Sequence, residues 1–123
     1  MCSIDTIGVN NEKYIYLTTI GRVTENLHTV ELWFAIAQGK IYLSHEGSYT
    51  DWMRNIIKDD RIEFRIRDIQ FNGRARIVKK GKVFEVGKHV LYFKYYGKAS
   101  EDIICDWFSE STVIVICIIK NEL

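Results

Sequence analysis

His28-Thr29-Val30-Glu31-Leu32-Trp33-Phe34-Ala35-Ile36-Ala37 alternates as a β-strand does, with His28, Val30, Leu32, Phe34 and Ile36 on one face and Thr29, Glu31, Trp33, Ala35 and Ala37 on the other. Beyond Leu32 both faces are apolar. Such a strand is covered on both sides, here by a barrel interior and by something further, either a partner subunit or a flat ligand. Gln38-Gly39-Lys40 then reads as a hairpin turn, and Ile41-Tyr42-Leu43-Ser44 returns as the next strand.

Upstream of this hairpin, residues 14–19 are β-branched and aromatic, a composition suited to a pleated surface, and Gly21 lets the backbone turn. Downstream, Tyr49, Trp52, Met53, Ile56 and Ile57 fall at helical spacing on a single stripe. Ser48 with Asp51 three residues on approximates a capping box, so the spacing predicts a helix starting near Tyr49 and ending at Asp59-Asp60. Two more strands follow. Residues 61–67 turn Ile62, Phe64 and Ile66 inward, and residues 71–78 turn Phe71, Ala75 and Ile77 inward across Gly73, leaving a basic outer set.

Residues 82–96 fit a helix through Phe84, Lys88, Leu91 and Tyr95, although Gly87 weakens it and Val90-Leu91-Tyr92-Phe93 also suits a strand. Helix is the favoured reading. Ser100, Ile103, Ile104 and Trp107 suggest another short helix, and residues 112–119 form a β-branched run of strand length, buried on both faces. Because the strands succeed one another as hairpins rather than as βαβ units, the expected architecture is mainly β (α+β), a six-stranded barrel with two or three short helices.

The chain has 123 residues, a size that suits one domain over 1–123, with residues 1–13 a candidate loose N-terminal segment. Seventeen Lys and Arg against sixteen Asp and Glu give a formal charge of +1, which leaves no global field to attract nucleic acid or an anionic membrane. The first 13 residues lack a basic start and an apolar run, and no stretch approaches the ~20 apolar residues that span a bilayer, so a cytoplasmic protein is expected. Cys2, Cys105 and Cys117 form neither a CxxC pair nor a cluster with histidine, so neither a disulfide framework nor a metal site is expected. Cys117 reads as a small buried hydrophobe, and Asp106 beside Cys105 has the wrong sign to activate a thiol.

Several pieces in order resemble the deazaflavin-dependent nitroreductase family within the pyridoxamine 5'-phosphate oxidase-like split barrels. They are Tyr16-Leu17-Thr18-Thr19-Ile20-Gly21-Arg22, His28-Thr29-Val30-Glu31-Leu32-Trp33-Phe34, Gly39-Lys40-Ile41-Tyr42-Leu43-Ser44, Asp51-Trp52-Met53-Arg54-Asn55 with Asp60-Arg61, and Gly73-Arg74-Ala75-Arg76-Ile77-Val78. The resemblance covers residues 14–78 and fades after Gly81. It implies an FMN-binding split barrel and a homodimer holding a flavin-type cofactor between its subunits.

Carried over residue by residue, the resemblance implies that the cofactor's phosphate and chain lie near Arg22, Val23, Thr24 and His28 in the loop after the first strand. Ser44, His45, Glu46 and Gly47 at the end of the third strand and Trp52 and Asn55 on the helix complete that part, and the ring is implied to lie near Leu32, Trp33 and Phe34. A hydroxyl, loop amides and a helix N-terminus are all donors to phosphate. The family's loop reads Gly-Arg-Lys-Ser-Gly followed by a basic residue, whereas this chain has Gly21-Arg22-Val23-Thr24-Glu25 and then His28. With a lysine lost and Glu25 and Glu31 nearby, FMN with its single phosphate is favoured over an 8-hydroxy-5-deazaflavin coenzyme, and an empty site stays open.

The expected function is a flavin- or deazaflavin-dependent oxidoreductase passing a hydride to a small-molecule electron acceptor, with no catalytic acid or base assigned. A non-catalytic flavin-binding or storage protein is the alternative. An OB-like nucleic-acid module is the third, since Arg61, Arg65, Arg67, Arg74, Arg76, Lys79, Lys80 and Lys82 line one hairpin. Against it, the neighbouring phenylalanines alternate inward and offer no stacking platform on the charged side. His28 and His45 are equally readable as solvated strand-end residues, and Trp52, Tyr92, Tyr95, Tyr96 and Trp107 as core.

Overall fold

A computed structural model of the chain describes residues 11–23, 26–100, 102–104 and 113–119. In chain order the elements are β1 (Tyr14–Ile20), β2 (Leu27–Trp33), β3 (Ala35–Ala37), β4 (Lys40–His45), α1 (Asp51–Lys58), β5 (Arg61–Ile66), β6 (Ile69–Val78), α2 (Lys82–Tyr96) and β7 (Val113–Ile119). Residues 102–104 form a helical turn within the short helix expected there, and Trp107 lies outside the described residues.

The strands build one antiparallel sheet in the order β2-β1-β5-β6-β7-β4-β3. Among the described residues there are seven rather than the expected six, because the long strand of residues 28–37 is interrupted at Phe34. Trp33 is in register with Tyr14 of β1, whereas Ala35 is in register with Tyr42 of β4. Those two segments are the opposite edges of the sheet, yet one residue joins them, a span of roughly 7 Å. A flat sheet cannot satisfy this. The sheet curls until its edges meet at Phe34, which is the split barrel.

Inside the curl lies the main core, with Ile15 and Leu17 of β1, Leu43 of β4, Phe64 and Ile66 of β5 and Phe34 itself all essentially inaccessible. The stripe of α1 closes it through Trp52, Met53 and Ile56. A second cluster lies outside the sheet, where α2 sets Leu91 against Ala35, Tyr42, Ile114 and Ile116. Strand β7 is therefore covered on both sides, with Val113, Val115 and Cys117 inward and Ile114 and Ile116 beneath α2. Burial pushes the Cys117 thiol up to about 12, so it packs as a hydrophobe, as expected.

Local chemistry explains the turns and one correction. Gln38 and Gly39 both have positive φ, 54° and 74°, the backbone of a two-residue hairpin whose twist matches its strands. Helix α1 begins at Asp51 with Thr50 as N-cap and no side-chain capping bond, so the Ser48–Asp51 capping box does not form. The Asp51 carboxylate accepts from Arg22 instead, and the Ser48 carbonyl is bonded to His45. Residues 82–96 are helical as favoured, and Gly87 has a packing reason: its Cα faces Ile114 and Tyr42 too closely for any side chain.

Candidate functional site

The β1–β2 connection is pinned to α1 by Asn55. Its side chain is 1% exposed; Oδ1 accepts from the Arg22 amide at 3.2 Å and from Arg22 Nη1 at 3.0 Å, while Nδ2 donates to Thr19 Oγ1 at 3.0 Å. Arg22 Nη2 reaches Asp51 Oδ1 at 3.1 Å, and Lys58 Nζ donates to the Arg22 carbonyl at 2.6 Å. The loop is thus fixed at both its amide and its carbonyl. Arg22 presents a partly exposed guanidinium beside the first turn of α1, whose amides receive no bond from the Thr50 side chain. The Arg22 guanidinium and the amides of this first turn are groups that could meet one small anion, in competition with the Asp51 carboxylate already there.

His28 is exposed and packs against Gly21, where an added Cβ would come within 3.1 Å of the imidazole and 2.7 Å of the Asn26 carbonyl oxygen. A glycine at position 21 is therefore what allows the turn to close. Val23 is 83% exposed, and Thr24 and Glu25 lie outside the described residues.

At the end of β4, His45 Nε2 is bonded to the Ser48 carbonyl oxygen at 2.8 Å, and its ring stands edge-on to Tyr49 and Trp52. Ser44 is partly exposed, Glu46 and Gly47 are exposed, and Gly47 has φ +85°. Trp52 is core, 6% exposed. Because Trp52 and Asn55 are three apart on α1, they bring the His45 end of β4 and the Arg22 loop to one helix.

The residues implied for the ring lie elsewhere. Arg22 and His28 flank the start of β2, whereas Trp33 ends it, five extended residues or about 17 Å from His28. Leu32 packs toward the main core, and Trp33 points to the opposite face. Trp33 is 37% exposed and stacks on Tyr95 at 4.1 Å with an interplanar angle of 10°. Phe34 is wholly buried. The structure therefore groups Arg22, His45, Trp52 and Asn55 around α1, and Leu32, Trp33 and Phe34 at the β2–β3 junction.

Two features escaped the sequence reading. A cavity of about 300 Å³ opens between Thr18, Leu27, Glu63, Asn72, Arg61 and Arg74. Arg61 and Arg74 are cross-strand partners, and each is ion-paired, with Asp59 and Asp60 respectively. Arg67 pairs with Glu12, and Arg65 lies over the Tyr16 ring at 4.4 Å. Much of the basic hairpin face is thus neutralised, and Phe64 and Phe71 stack together on the core side. Alternation revealed the face; its pairing depends on register and turns. The second feature is Lys94, whose Nζ lies 3.4 Å above the centre of the Phe34 ring with no hydrogen-bond partner among the described residues.

No family model matches this sequence, and no curated protein does. Solved structures do match. The conserved hypothetical protein Rv2991 of Mycobacterium tuberculosis superposes with TM-score 0.79 at 21% identity over 92% of this chain and 76% of its own. An F420 reductase gives 0.66 at 17% identity over 92% and 90%. A candidate pyridoxamine 5'-phosphate oxidase from Listeria innocua gives 0.64 at 14% over 92% and 88%. At such identities the likeness establishes architecture: the chain has the split-barrel fold shared by pyridoxamine 5'-phosphate oxidase-like proteins and F420 reductases.

Proposed function

We propose that the chain is a flavin- or deazaflavin-dependent oxidoreductase that works as a homodimer, with FMN the favoured cofactor. The observation that carries this reading is the Arg22 guanidinium held by Asn55 and Asp51 beside the first turn of α1, within a fold that F420 reductases share. A phosphate there would compete with the exposed Asp51 carboxylate for Arg22 and gain the first-turn amides. One arginine suits one phosphate better than a polyanionic tail.

When bound, the cofactor supplies the hydride chemistry. The chain's part is to hold and orient it: Asn55 fixes the loop that carries Arg22, and the apolar β2–β3 junction excludes water. Val23 and Leu27, 83% and 64% exposed beside the start of β2, are apolar surface that a second subunit would cover.

Absorbance of the purified protein, the mass of any released cofactor, and titration with FMN and F420 test the reading, with sedimentation reporting the dimer. Saturable FMN binding by a dimer is expected, and stopped-flow reoxidation by candidate acceptors separates turnover from storage. A monomer that binds neither cofactor would refute the proposal.

A further inference from the structure

A cavity of about 680 Å³ lies between β3 and the C-terminal half of α2, within the size range of small-molecule sites. Ile36, Val90, Phe93 and Ile104 give it apolar walls. Its chargeable lining residues are His89, Lys94 and Lys98, and no Asp or Glu lines it among the described residues. Among the described lining residues the fixed charges are the two lysines, so the hollow favours a partly apolar molecule that carries a negative charge.

Lys94 sharpens the argument. Its stem is part of the cavity wall, while its Nζ is turned inward over the Phe34 ring, 3.4 Å from the centroid and 5.2 Å from that of Tyr95. The amine is buried and lacks an acceptor among the described residues. Aromatic faces attract a cation, but they leave its three donors unmade, a cost that an acceptor would remove. Burial pushes the lysine down to about 8, partly offset by the Glu12 carboxylate, which is itself engaged with Arg67. Rotation about the terminal bonds of the side chain would carry the amine from Phe34 into the cavity, since one stem borders both.

We propose that this cavity binds an amphipathic monocarboxylate, its apolar portion lying along Ile36, Val90 and Phe93 and its carboxylate accepting from Lys94 Nζ, with Lys98 adding positive potential. The carboxylate supplies both the opposite charge and the acceptors that Lys94 lacks. A neutral molecule of the same shape would gain the apolar contacts alone. This site rests on β3 and α2 and does not require a flavin.

Titration calorimetry of the full chain with octanoate and with 1-octanol tests it. Octanoate is expected to bind at least about tenfold more tightly, the difference one charge-assisted hydrogen-bonded pair makes. Lys94→Met should abolish that preference and leave octanol binding unchanged. In the unsubstituted protein, modification of Lys94 by trinitrobenzenesulfonate, read by peptide mass spectrometry, should be slowed by octanoate and not by octanol, which decides the matter if the variant does not fold. Octanoate binding no more tightly than octanol, or keeping its preference in Lys94→Met, or failing to protect Lys94, would overturn the proposal. FMN titrated in parallel separates the two readings, because loss of FMN binding with octanoate binding intact leaves this site standing.

Discussion

The Tyr95 hydroxyl serves both backbone polar groups of Phe34: it accepts from the Phe34 amide at 2.9 Å, and its proton lies toward the Phe34 carbonyl at 2.9 Å and the Lys13 carbonyl at 2.7 Å. Phe34 is the one residue between the two sheet edges, so it belongs to neither β-ladder, and among the described residues its buried amide and carbonyl find their partner in Tyr95. A side chain from α2 thus completes the barrel's seam. Tyr95→Phe keeps the ring that stacks on Trp33 and removes only the hydroxyl. Urea unfolding should show a loss of about 1–3 kcal/mol, the cost of leaving buried backbone groups unmade. A loss below a few tenths would mean that the seam is closed by other contacts.

Asn55 holds a similar position at the other end of β2. Its amide side chain accepts twice from Arg22 in the β1–β2 connection and donates once to Thr19 near the end of β1. Asn55→Ala should cost about 2 kcal/mol by orphaning Thr19 and Arg22. If Arg22 is a phosphate ligand, FMN affinity should fall with it, and Asn55→Asp should retain more affinity than alanine because it keeps the acceptor. Equal FMN binding in all three forms would show that the loop carries no ligand.

These two residues mark how far the sequence could be read. Alternation in residues 28–37, the hairpin at Gln38-Gly39 and the stripe from Trp52 to Ile56 are local patterns that reveal individual elements, whereas the barrel follows from the succession of strands as hairpins and its split form from the resemblance. The break at Phe34 was not legible. Nothing in Trp33-Phe34-Ala35 departs from strand composition, and the interruption arises only because the sheet's two edges must meet there. In the same way nothing local shows that Asn55 is engaged within the fold, because Thr19 and Arg22 are brought to it only by β1 and the loop that follows. Register and closure decide such contacts, and both are long-range.

Gly87 opposes two magnitudes directly. It sits inside α2, where replacing glycine by alanine should gain about 1 kcal/mol of helix propensity. An added Cβ, however, would lie 2.8 Å from Ile114 Cγ2 and 3.0 Å from Tyr42 Cδ1. Ile114 is 0% and Tyr42 1% exposed, so neither can move aside cheaply, and overpacking of this kind costs about 1–3 kcal/mol. Gly87→Ala is therefore expected to lower the melting temperature, with near-ultraviolet circular dichroism reporting a shift at Tyr42. A higher melting temperature would show that α2 lies more loosely on β4 and β7 than this contact requires.

Asp59 is expected to contribute to the loss of stability in acid. It follows α1, and its carboxylate accepts from the Arg61 amide at 3.2 Å, from Nε at 2.9 Å and from Nη2 at 2.6 Å. The hydrogen bonds from the Arg61 side chain, then that from its amide, hold the carboxyl down at about 2, against 3.8 for an ordinary aspartate. Above the ordinary value both folded and unfolded chains are ionised, and the native state keeps the whole benefit of the pair. Between 3.8 and about 2 the unfolded chain takes up a proton that the folded chain refuses, so stability falls as pH falls, and below about 2 the benefit is gone. Asp59→Asn removes the titration while retaining an acceptor. Its urea midpoint should decline less steeply than that of the unsubstituted chain across this window and run parallel to it at neutral pH. Parallel curves within the window as well would assign the acid limb to other carboxylates.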